Sequence, residues 1–192
     1  PILETLEALN NFVSEGKIRS IGLSNETAWG TLEFIKTAEL KKFEKIVSIQ
    51  NPYNLLNRSF EVGLSEISLR ENVGLLAYSP LASGTLSGKY LDGELPEGSR
   101  LKLFGDRYPR YKTPNAELAI KEYLKIAKEF NLDACQMAIK FCELQPFITS
   151  VIIGATKMSQ LENNLKSHEI KLDDDIIQAI NDVQKIYSNP CP

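Results

Sequence analysis

Two patterns of hydrophobic and polar residues alternate along the chain: short β-branched runs, and longer segments with apolar residues at helical spacing. The β-branched runs predict strands at 18–24, 45–51, 73–78 and 149–153, and the almost continuously apolar third run is typical of a strand buried on both faces. The other pattern predicts helices at 2–15, 27–40, 58–72, 114–130, 133–144, 158–167 and 173–186. Thr113-Pro114, Asp133 and Asp173 are start signals for three of these helices.

Strands followed by helices predict an α/β fold with a parallel sheet. A doubly wound sheet normally carries a G-x-G-x-x-G turn after its first strand, and this sequence has none. A (β/α)8 TIM barrel needs eight strands and about 250 residues. We therefore expect a partial (β/α)8 TIM barrel, roughly half of one, with residues 1–192 as a single domain fragment.

Composition and charge narrow the functional classes. The 192 residues are 43% hydrophobic and 24% charged, an ordinary balance for a soluble globular domain. No apolar run approaches the roughly 20 residues that span a bilayer, so we expect no membrane partner. The first residues lack a basic segment and a cleavage site, so we expect no secretory signal. The net charge is −3 without a basic stripe, which argues against a nucleic-acid partner.

The three cysteines indicate neither a disulfide framework nor a metal site. Cys135 and Cys142 lie seven residues apart in a helical pattern, and we interpret them as small buried hydrophobic residues. No C-x-x-C motif or Cys/His cluster accompanies them or Cys191. We therefore expect no metal and a cytoplasmic location.

Each predicted strand ends in polar or aromatic residues. The four ends are Ser24-Asn25, Gln50-Asn51, Tyr78-Ser79 and Gly154-Ala155-Thr156. In a parallel barrel these ends share one rim, where functional groups gather. Amides and a hydroxyl suit a nicotinamide carboxamide, and a tyrosine face suits its ring. The alternative is that these residues only cap helices and form turns.

The segments after the third and fourth strands also suit phosphates. Ser83-Gly84-Thr85 and Gly154–Lys157 offer backbone N–H groups at helix starts, and Lys89, Arg100 and Lys157 offer positive charge. Both segments are therefore candidate phosphate-binding turns.

Four motifs in order along the chain resemble the aldo-keto reductases. They are GKIRSIGLSN, IVSIQNPYNLLNR, LLAYSPLASGTLSGKY and VIIGATKMSQLENN, and the resemblance covers essentially the whole chain. The sequence is most similar to the Tas-like bacterial members, and the potassium-channel β subunits are more distant relatives. The resemblance implies that the chain is the C-terminal half of such a barrel, roughly its last four β/α units plus C-terminal helices.

The resemblance also implies roles for individual residues. Ser24, Asn25 and Gln50 would hold the carboxamide, and Tyr78 would stack on the nicotinamide. The pyrophosphate would be bound by Ser79, Pro80, Leu81, Ser83, Gly84, Lys89 and Arg100. The adenosine end would contact Gly154, Ala155, Thr156, Gln160, Asn163 and Asn164.

The family often has Arg where Gln160 stands and Glu where Asn163 stands. Gln cannot make the charged bidentate contact of Arg, although Lys157 can compensate. We therefore expect NADP(H), with NAD(H) less favoured.

The catalytic Tyr, Asp, Lys and His of the family have no counterparts here, so we expect no catalytic residue in this chain and no turnover by it alone. His168 is interpreted as a solvated or capping residue, and Tyr53 and Tyr78 are placed on the cofactor side.

A half-barrel exposes two edges, its first and fourth strands. We therefore expect either a missing N-terminal half-barrel or edge-to-edge copies of the chain as partners.

Three functions remain open. The first is part of a reductase that acts on a small carbonyl substrate. The second is a cofactor-holding regulatory module that resembles the channel β subunits, and the third is a structural half-barrel that binds nothing.

The sequence of residues 91–113 predicts a long loop. Its Phe104, Tyr108 and Tyr111 either line a substrate or cofactor lid or pack the loop onto the barrel.

Overall fold

The computed structural model describes residues 1–107 and 109–192, which form an α/β fold. Four strands are present: β1 (Ile21–Ser24), β2 (Ile46–Pro52), β3 (Gly74–Tyr78) and β4 (Ile148–Ile152). Within the described residues the helices are α1 (Ile2–Ser14), α2 (Ala28–Lys41), α3 (Leu64–Glu71), α4 (Arg100–Phe104), α5 (Pro114–Glu129), α6 (Ala134–Glu143), α7 (Met158–Leu165) and α8 (Asp174–Ile186). Short 3₁₀ turns connect several of them.

The strands form one parallel sheet in the order β1-β2-β3-β4, which agrees with a partial TIM barrel. β1 pairs with β2 from Ile21 opposite Ile46 to Ser24 opposite Gln50, with an irregularity between Ile21 and Gly22. β1 and β4 are the outermost strands, as predicted. In β1 buried Ile21 and Leu23 alternate with exposed Gly22 and Ser24, so only one of its faces is covered. Parallel sheets normally have both faces covered.

The helices start where side-chain caps are available. Thr113 accepts a hydrogen bond from the Ala116 N–H, Asp133 from Gln136, and Asp173 from Ile176, so all three predicted caps are confirmed. Thr27 caps α2 in the same way through Gly30. These oxygens satisfy N–H groups that lack a partner in the first helical turn.

Two compact units divide the chain. The first comprises Pro1–Asn51, Phe60–Leu76 and Pro146–Ser150, and its buried apolar residues include Leu6, Ile21, Ile49, Phe60 and Leu75. The second comprises Pro52–Ser59, Ala77–Gln145 and Val151–Pro192, with Tyr53, Leu55, Tyr123, Met137, Phe141 and Ile180 among its buried residues.

Three predictions differ from the structure. The helix predicted at 58–72 is a 3₁₀ turn, Ser59–Glu61, followed by α3 from Leu64, because Gly63 with a positive φ separates the two. The first strand begins at Ile21 and not at 18, because a turn at 15–16 and irregular backbone at 17–20 follow α1. The predicted loop 91–113 contains α4 and three 3₁₀ turns, too short to produce a recognisable periodicity. Among the residues that the structure describes, no helix is long and apolar enough to cross a membrane.

Candidate functional site

The polar residues at the ends of β1 and β2 lie in the first unit and are joined by hydrogen bonds. The Ser24 hydroxyl donates to the Gln50 carbonyl at 3.0 Å, and the Asn25 N–H donates to the Asn51 Oδ1 at 2.7 Å. Asn25 has a left-handed backbone with φ of 54°. Ser24, Asn25 and Gln50 are exposed, whereas Asn51 is buried. Asn51 therefore shapes this end of the sheet and leaves the three exposed residues at its surface.

The segment after β3, in the second unit, has an unusual backbone. Ser79, Ala82 and Ser83 have φ of 56°, 49° and 59°, in the left-handed region that non-glycine residues avoid, and Gly84 has φ of 91°. Tyr78, Ser79, Leu81 and Ser83 are partly exposed and Pro80 is buried. Such conformations cost about 1–3 kcal/mol each and cluster at functional sites. Local left-handed turns also direct successive N–H groups to one side, a geometry suited to anions.

A buried side chain of the second unit supports this strained segment. The fully buried Asn54 donates through Nδ2 to the Ser79 carbonyl at 3.0 Å, and its Oδ1 accepts from the Leu56 N–H. Burial raises the pKa of the Tyr111 hydroxyl, against the lowering effects of Arg110 and of the Ser83 and Ser79 side chains. Tyr111 is buried, which favours the interpretation that this side chain packs the loop onto the fold.

Positive charge lies against the same segment. The Lys89 Nζ lies 5.1 Å from the centre of the Tyr90 ring and only 3.0 Å from where a side chain at Gly84 would begin. A residue larger than glycine would therefore displace the ammonium group. Arg100 is exposed at the first position of α4, next to Leu101, whose N–H donates to the Tyr90 hydroxyl at 3.4 Å.

The turn after β4, also in the second unit, is exposed and is closed by a side chain at the surface. Gly154, Ala155, Thr156 and Lys157 are all exposed. The Thr156 N–H and hydroxyl both donate to the Gln160 Oε1, at 3.0 and 3.1 Å. Gln160 therefore uses its oxygen to close the turn at the start of α7.

The two asparagines on α7 have protein neighbours. The Asn163 Oδ1 accepts from the Gln136 Nε2 at 2.8 Å, and its Nδ2 donates to Asp133 at 3.1 Å. Asn164 is 4% exposed. Both side chains serve the packing of α7 in this structure.

The structure tests the predictions made for the side chains of Tyr53 and His168. Tyr53 is fully buried and stacks on Phe141 with ring centres 6.1 Å apart, so its placement on the cofactor side was wrong: directly after β2 the chain directs this ring into the core. His168 is exposed and its Nδ1 donates to the Leu165 carbonyl at 2.6 Å, which confirms a capping role. Phe104 is exposed, and Tyr108 lies outside the described residues.

The cysteines are free thiols. Cys142 is fully buried, as predicted, whereas Cys135 is only partly buried. Burial raises the pKa of Cys135 to about 11 and that of Cys191 to about 12, and it raises the pKa of Cys142 as well. In the described part of the chain no group of three or more His, Cys, Asp or Glu residues is placed to share a metal ion.

Two buried asparagines organise the candidate site: Asn51, named above only as part of a strand end, and Asn54, which the sequence analysis did not single out. The available signal was the spacing of two asparagines in N-P-Y-N directly after a strand, because buried asparagines there commonly bind loop backbone. No local pattern connects Asn54 with Ser79, which lies 25 positions later in the sequence.

Comparison with known proteins agrees with the sequence motifs. The model of the Aldo/keto reductase family matches residues 1–185. Protein tas of Escherichia coli (strain K12) is 47% identical over 191 residues, covering 100% of this chain and 55% of that protein.

More distant relatives differ in their named roles. The L-glyceraldehyde 3-phosphate reductase of Escherichia coli (strain K12) is 31% identical over 172 residues, covering 87% of this chain and 49% of the enzyme. A probable voltage-gated potassium channel subunit beta of Arabidopsis thaliana is 31% identical over 178 residues, covering 88% of this chain and 53% of that protein. The chain spans about half the length of the curated relatives it matches.

Proposed function

The chain belongs to the aldo/keto reductase family, and from that membership we propose that it supplies the cofactor-binding part of an NADP(H)-dependent reductase of aldehydes and ketones. A bound NADP(H) would supply hydride to the substrate carbonyl. The chain's own residues would bind and orient the dinucleotide.

The observation that carries this proposal is the strained segment after β3. Ser79, Ala82 and Ser83 hold left-handed conformations, and Lys89 places its ammonium group against Gly84. Backbone N–H groups together with a cation suit the pyrophosphate, and the stored strain is typical of a ligand-binding loop. Pro80 and Leu81 complete this segment, and Arg100 would add a second charge.

The adenosine end would be bound by the turn after β4. Gly154, Ala155 and Thr156 are exposed, as a binding turn requires, and Lys157 supplies positive charge beside them. Because Gln160 engages Thr156 through its oxygen, its Nε2 is the group that would donate to a ligand. Lys157 is therefore the residue on which a preference for NADP(H) over NAD(H) would rest, with Asn163 and Asn164 acting through the packing of α7.

The nicotinamide end is proposed from the family resemblance and from donor chemistry. Ser24, Asn25 and Gln50 are exposed and offer both donors and acceptors, as a carboxamide requires. Tyr78 is partly exposed and offers a ring face for stacking. Each of these residues lies at or near the C-terminal end of a strand of the same sheet.

We propose that the catalytic Tyr, Asp, Lys and His lie outside these 192 residues. A preceding half-barrel would supply them and would pair with the outer strands β1 and β4. Edge-to-edge pairing of two copies is the alternative partner. The three free thiols support a reducing compartment, which we propose is the cytoplasm.

A regulatory cofactor-binding module is the second candidate, because one relative is named as a potassium channel subunit beta. Both candidates share the dinucleotide site. They differ in turnover: a protein that carries this chain together with a catalytic Tyr, Lys and His should oxidise NADPH in the presence of an aldehyde. The 192-residue chain alone should show no such oxidation.

Calorimetric titration of the 192-residue chain with NADP⁺, NAD⁺ and 2′,5′-ADP tests the proposal. We expect NADP⁺ to bind more tightly than NAD⁺. Lys157→Ala should reduce that preference about three- to tenfold, since one charged contact is lost. Lys166→Ala, an exposed lysine at the far end of α7, is the matched control and should change little.

The same titration distinguishes contacts with the nicotinamide end of the ligand from contacts with its adenosine end. Ser24→Ala should weaken NADP⁺ and leave 2′,5′-ADP, which has no nicotinamide, unchanged. Absence of heat with all three ligands would overturn the proposed function. Binding of equal strength in wild-type and Lys157→Ala chains would overturn the role given to Lys157.

A further inference from the structure

The peptide group between Ser79 and Pro80 has a single atom through which hydrogen bonds can orient it. Proline has no backbone N–H, so only the Ser79 carbonyl oxygen is available. Ser79 also begins the strained segment 79–84, with φ of 56°. Left-handed conformations of non-glycine residues persist only when the surrounding structure determines them. A hydrogen bond that fixes this peptide group must therefore end on the Ser79 carbonyl oxygen.

Two N–H groups donate to that oxygen, one from inside the segment and one from outside it. The Ala82 N–H donates at 2.8 Å and closes the local turn, and the Asn54 Nδ2 donates at 3.0 Å from 25 positions earlier in the chain. The Tyr53 N–H donates to the preceding carbonyl, that of Tyr78, at 3.3 Å. Tyr53 and Asn54 thus bind two successive carbonyls at the point where β3 passes into the strained segment.

The Asn54 side chain has a fixed orientation. Its Oδ1 accepts from the Leu56 N–H at 2.9 Å while its Nδ2 donates to Ser79, so only one orientation of the amide satisfies both partners. The side chain is fully buried. Its backbone is fixed as well, because the N–H and carbonyl groups of Asn54 and Asn57 bind each other at 3.0 Å in both directions.

The loop that carries Asn54 is anchored to two other parts of the second unit. The Tyr123 hydroxyl, on α5, donates to the Leu55 carbonyl at 3.0 Å. The Cys191 N–H, near the end of the chain, donates to the Leu56 carbonyl at 3.0 Å. Because the loop is bound on both sides of its Asn54 contact, it can impose a position on the Ser79 carbonyl.

We propose that Asn54 is a positioning residue for the dinucleotide: by binding the Ser79 carbonyl, it fixes segment 79–84 in the shape that receives the pyrophosphate. The inference rests on the proposed function, because the ligand of the segment is the pyrophosphate of NADP(H). Asn54 is fully buried and does not touch the ligand in this account. It acts through Ser79.

Hydrogen exchange of the ligand-free chain tests the contact without any cofactor. Asn54→Asp keeps the size and the Oδ1 acceptor, but its carboxylate cannot donate to Ser79 at pH 8. At pH 5 the buried carboxyl should be protonated and should donate through its O–H group. The Ala82 N–H, which binds the same carbonyl, should exchange about tenfold faster than in wild type at pH 8 and within about twofold of wild type at pH 5.

Asn57→Asp is the matched control, because it makes the same substitution at a second buried asparagine of the same loop. The Asn57 Oδ1 accepts from the Ser59 N–H at 3.1 Å and from the Ser59 hydroxyl at 2.7 Å, and a carboxylate preserves both bonds. This variant should leave the exchange of the Ala82 N–H unchanged at both pH values.

The titratable groups around the loop include Cys142, Cys191 and Tyr123, which contact Tyr53, Leu56 and Leu55. Burial raises the pKa of both thiols, and a phenol ordinarily titrates near pH 10, so these groups stay protonated between pH 5 and pH 8. A pH effect confined to Asn54→Asp therefore reports the new carboxyl group.

Asn54→Ser is a second variant in case Asn54→Asp does not fold at pH 8. A serine hydroxyl can close the same local turn with the Leu56 N–H but is too short to reach the Ser79 carbonyl as well. The Ala82 N–H should exchange about tenfold faster at both pH values. Exchange within twofold of wild type in Asn54→Ser, or equal acceleration at pH 5 and pH 8 in Asn54→Asp, would overturn the inference.

NADP⁺ titration then connects the contact with binding. Relative to wild type at the same pH, Asn54→Asp should weaken NADP⁺ binding about tenfold at pH 8 and less than about twofold at pH 5, whereas Asn57→Asp should change neither value. If the wild-type chain binds no NADP⁺, the proposed function fails, while the exchange result still decides whether Asn54 fixes the segment. Unchanged NADP⁺ affinity of Asn54→Asp at pH 8, where wild type binds, would contradict the positioning role.

Discussion

Two segments of the second unit follow neighbouring strands and carry the proposed phosphate contacts, yet they are held in different ways. The segment after β3 is strained, and the buried Asn54 side chain holds it through the Ser79 carbonyl. The turn after β4 is exposed along Gly154–Lys157 and closed by the surface contact of Thr156 with Gln160. The first segment is thus preorganised, and the second can adjust to its ligand.

The difference assigns distinct tasks to the two segments. A preorganised segment loses little conformational entropy on binding and so contributes affinity. Under the proposed function, an exposed turn with a single lysine would contribute discrimination between ligands that differ at that end. Substitutions should therefore act mainly on stability in the first segment and mainly on ligand choice in the second.

The largest expected effect is on the free energy of unfolding when the side chains that hold the two segments, Asn54 and Gln160, are removed. Asn54→Ala should lower the free energy of unfolding by about 2–4 kcal/mol, because the Ser79 carbonyl and the Leu56 N–H both lose a buried partner. Gln160→Ala should cost about 0.5 kcal/mol, since its partners can bond to water. Urea denaturation measures both. Equal costs for the two variants would erase the contrast between the segments.

The two glycines should differ in the same direction. Gly84→Ala should cost about 1–2 kcal/mol, because φ is 91° and the new methyl group would meet the Lys89 ammonium. A methyl group added at Gly154 would meet no atom within 4 Å, and the backbone there has no positive φ. Gly154→Ala should therefore leave stability within about 0.5 kcal/mol of wild type. A costly Gly154→Ala would show that the second turn is also rigid.

The smallest effect is a pH dependence from the buried Cys191, whose N–H donates to the Leu56 carbonyl. Its folded pKa of about 12 is raised above its ordinary value, so its contribution to stability is complete at pH 8 and declines as pH rises above about 9. Between pH 8 and 9.5 the wild-type chain should lose about 1 kcal/mol more than Cys191→Ala. If the free energy of unfolding of the wild-type and Cys191→Ala chains changed equally with pH, this prediction would be wrong and Cys191 would be in contact with solvent.

The architecture and the exposed ends of the strands could be predicted from sequence, because both depend on local patterns. β-branched runs locate β2 and β3 closely, and Thr113, Asp133 and Asp173 mark their helices through single side-chain hydrogen bonds. The four motifs that resemble the family also identify it, as the comparisons confirm.

The supports of the site could not be predicted, because they depend on contacts between distant parts of the chain. Asn54 reaches Ser79, and Cys191 reaches Leu56, across separations that periodicity does not report. Tyr53 was placed with the cofactor because it follows a strand end, yet its ring belongs to the core beside Phe141. Strain at Ser79 and Ala82 is likewise invisible in residue types that commonly adopt ordinary conformations.

The central claim is that the ends of these strands bind a nicotinamide dinucleotide, and a hydrogen-exchange footprint of the 192-residue chain with saturating NADP⁺ tests it most directly. We predict slower exchange in 79–86 and in 154–160, with the larger proportional change in the second range because that turn is less fixed beforehand. Exchange in α1 should not change. A footprint that spares both ranges while NADP⁺ is bound would contradict the account.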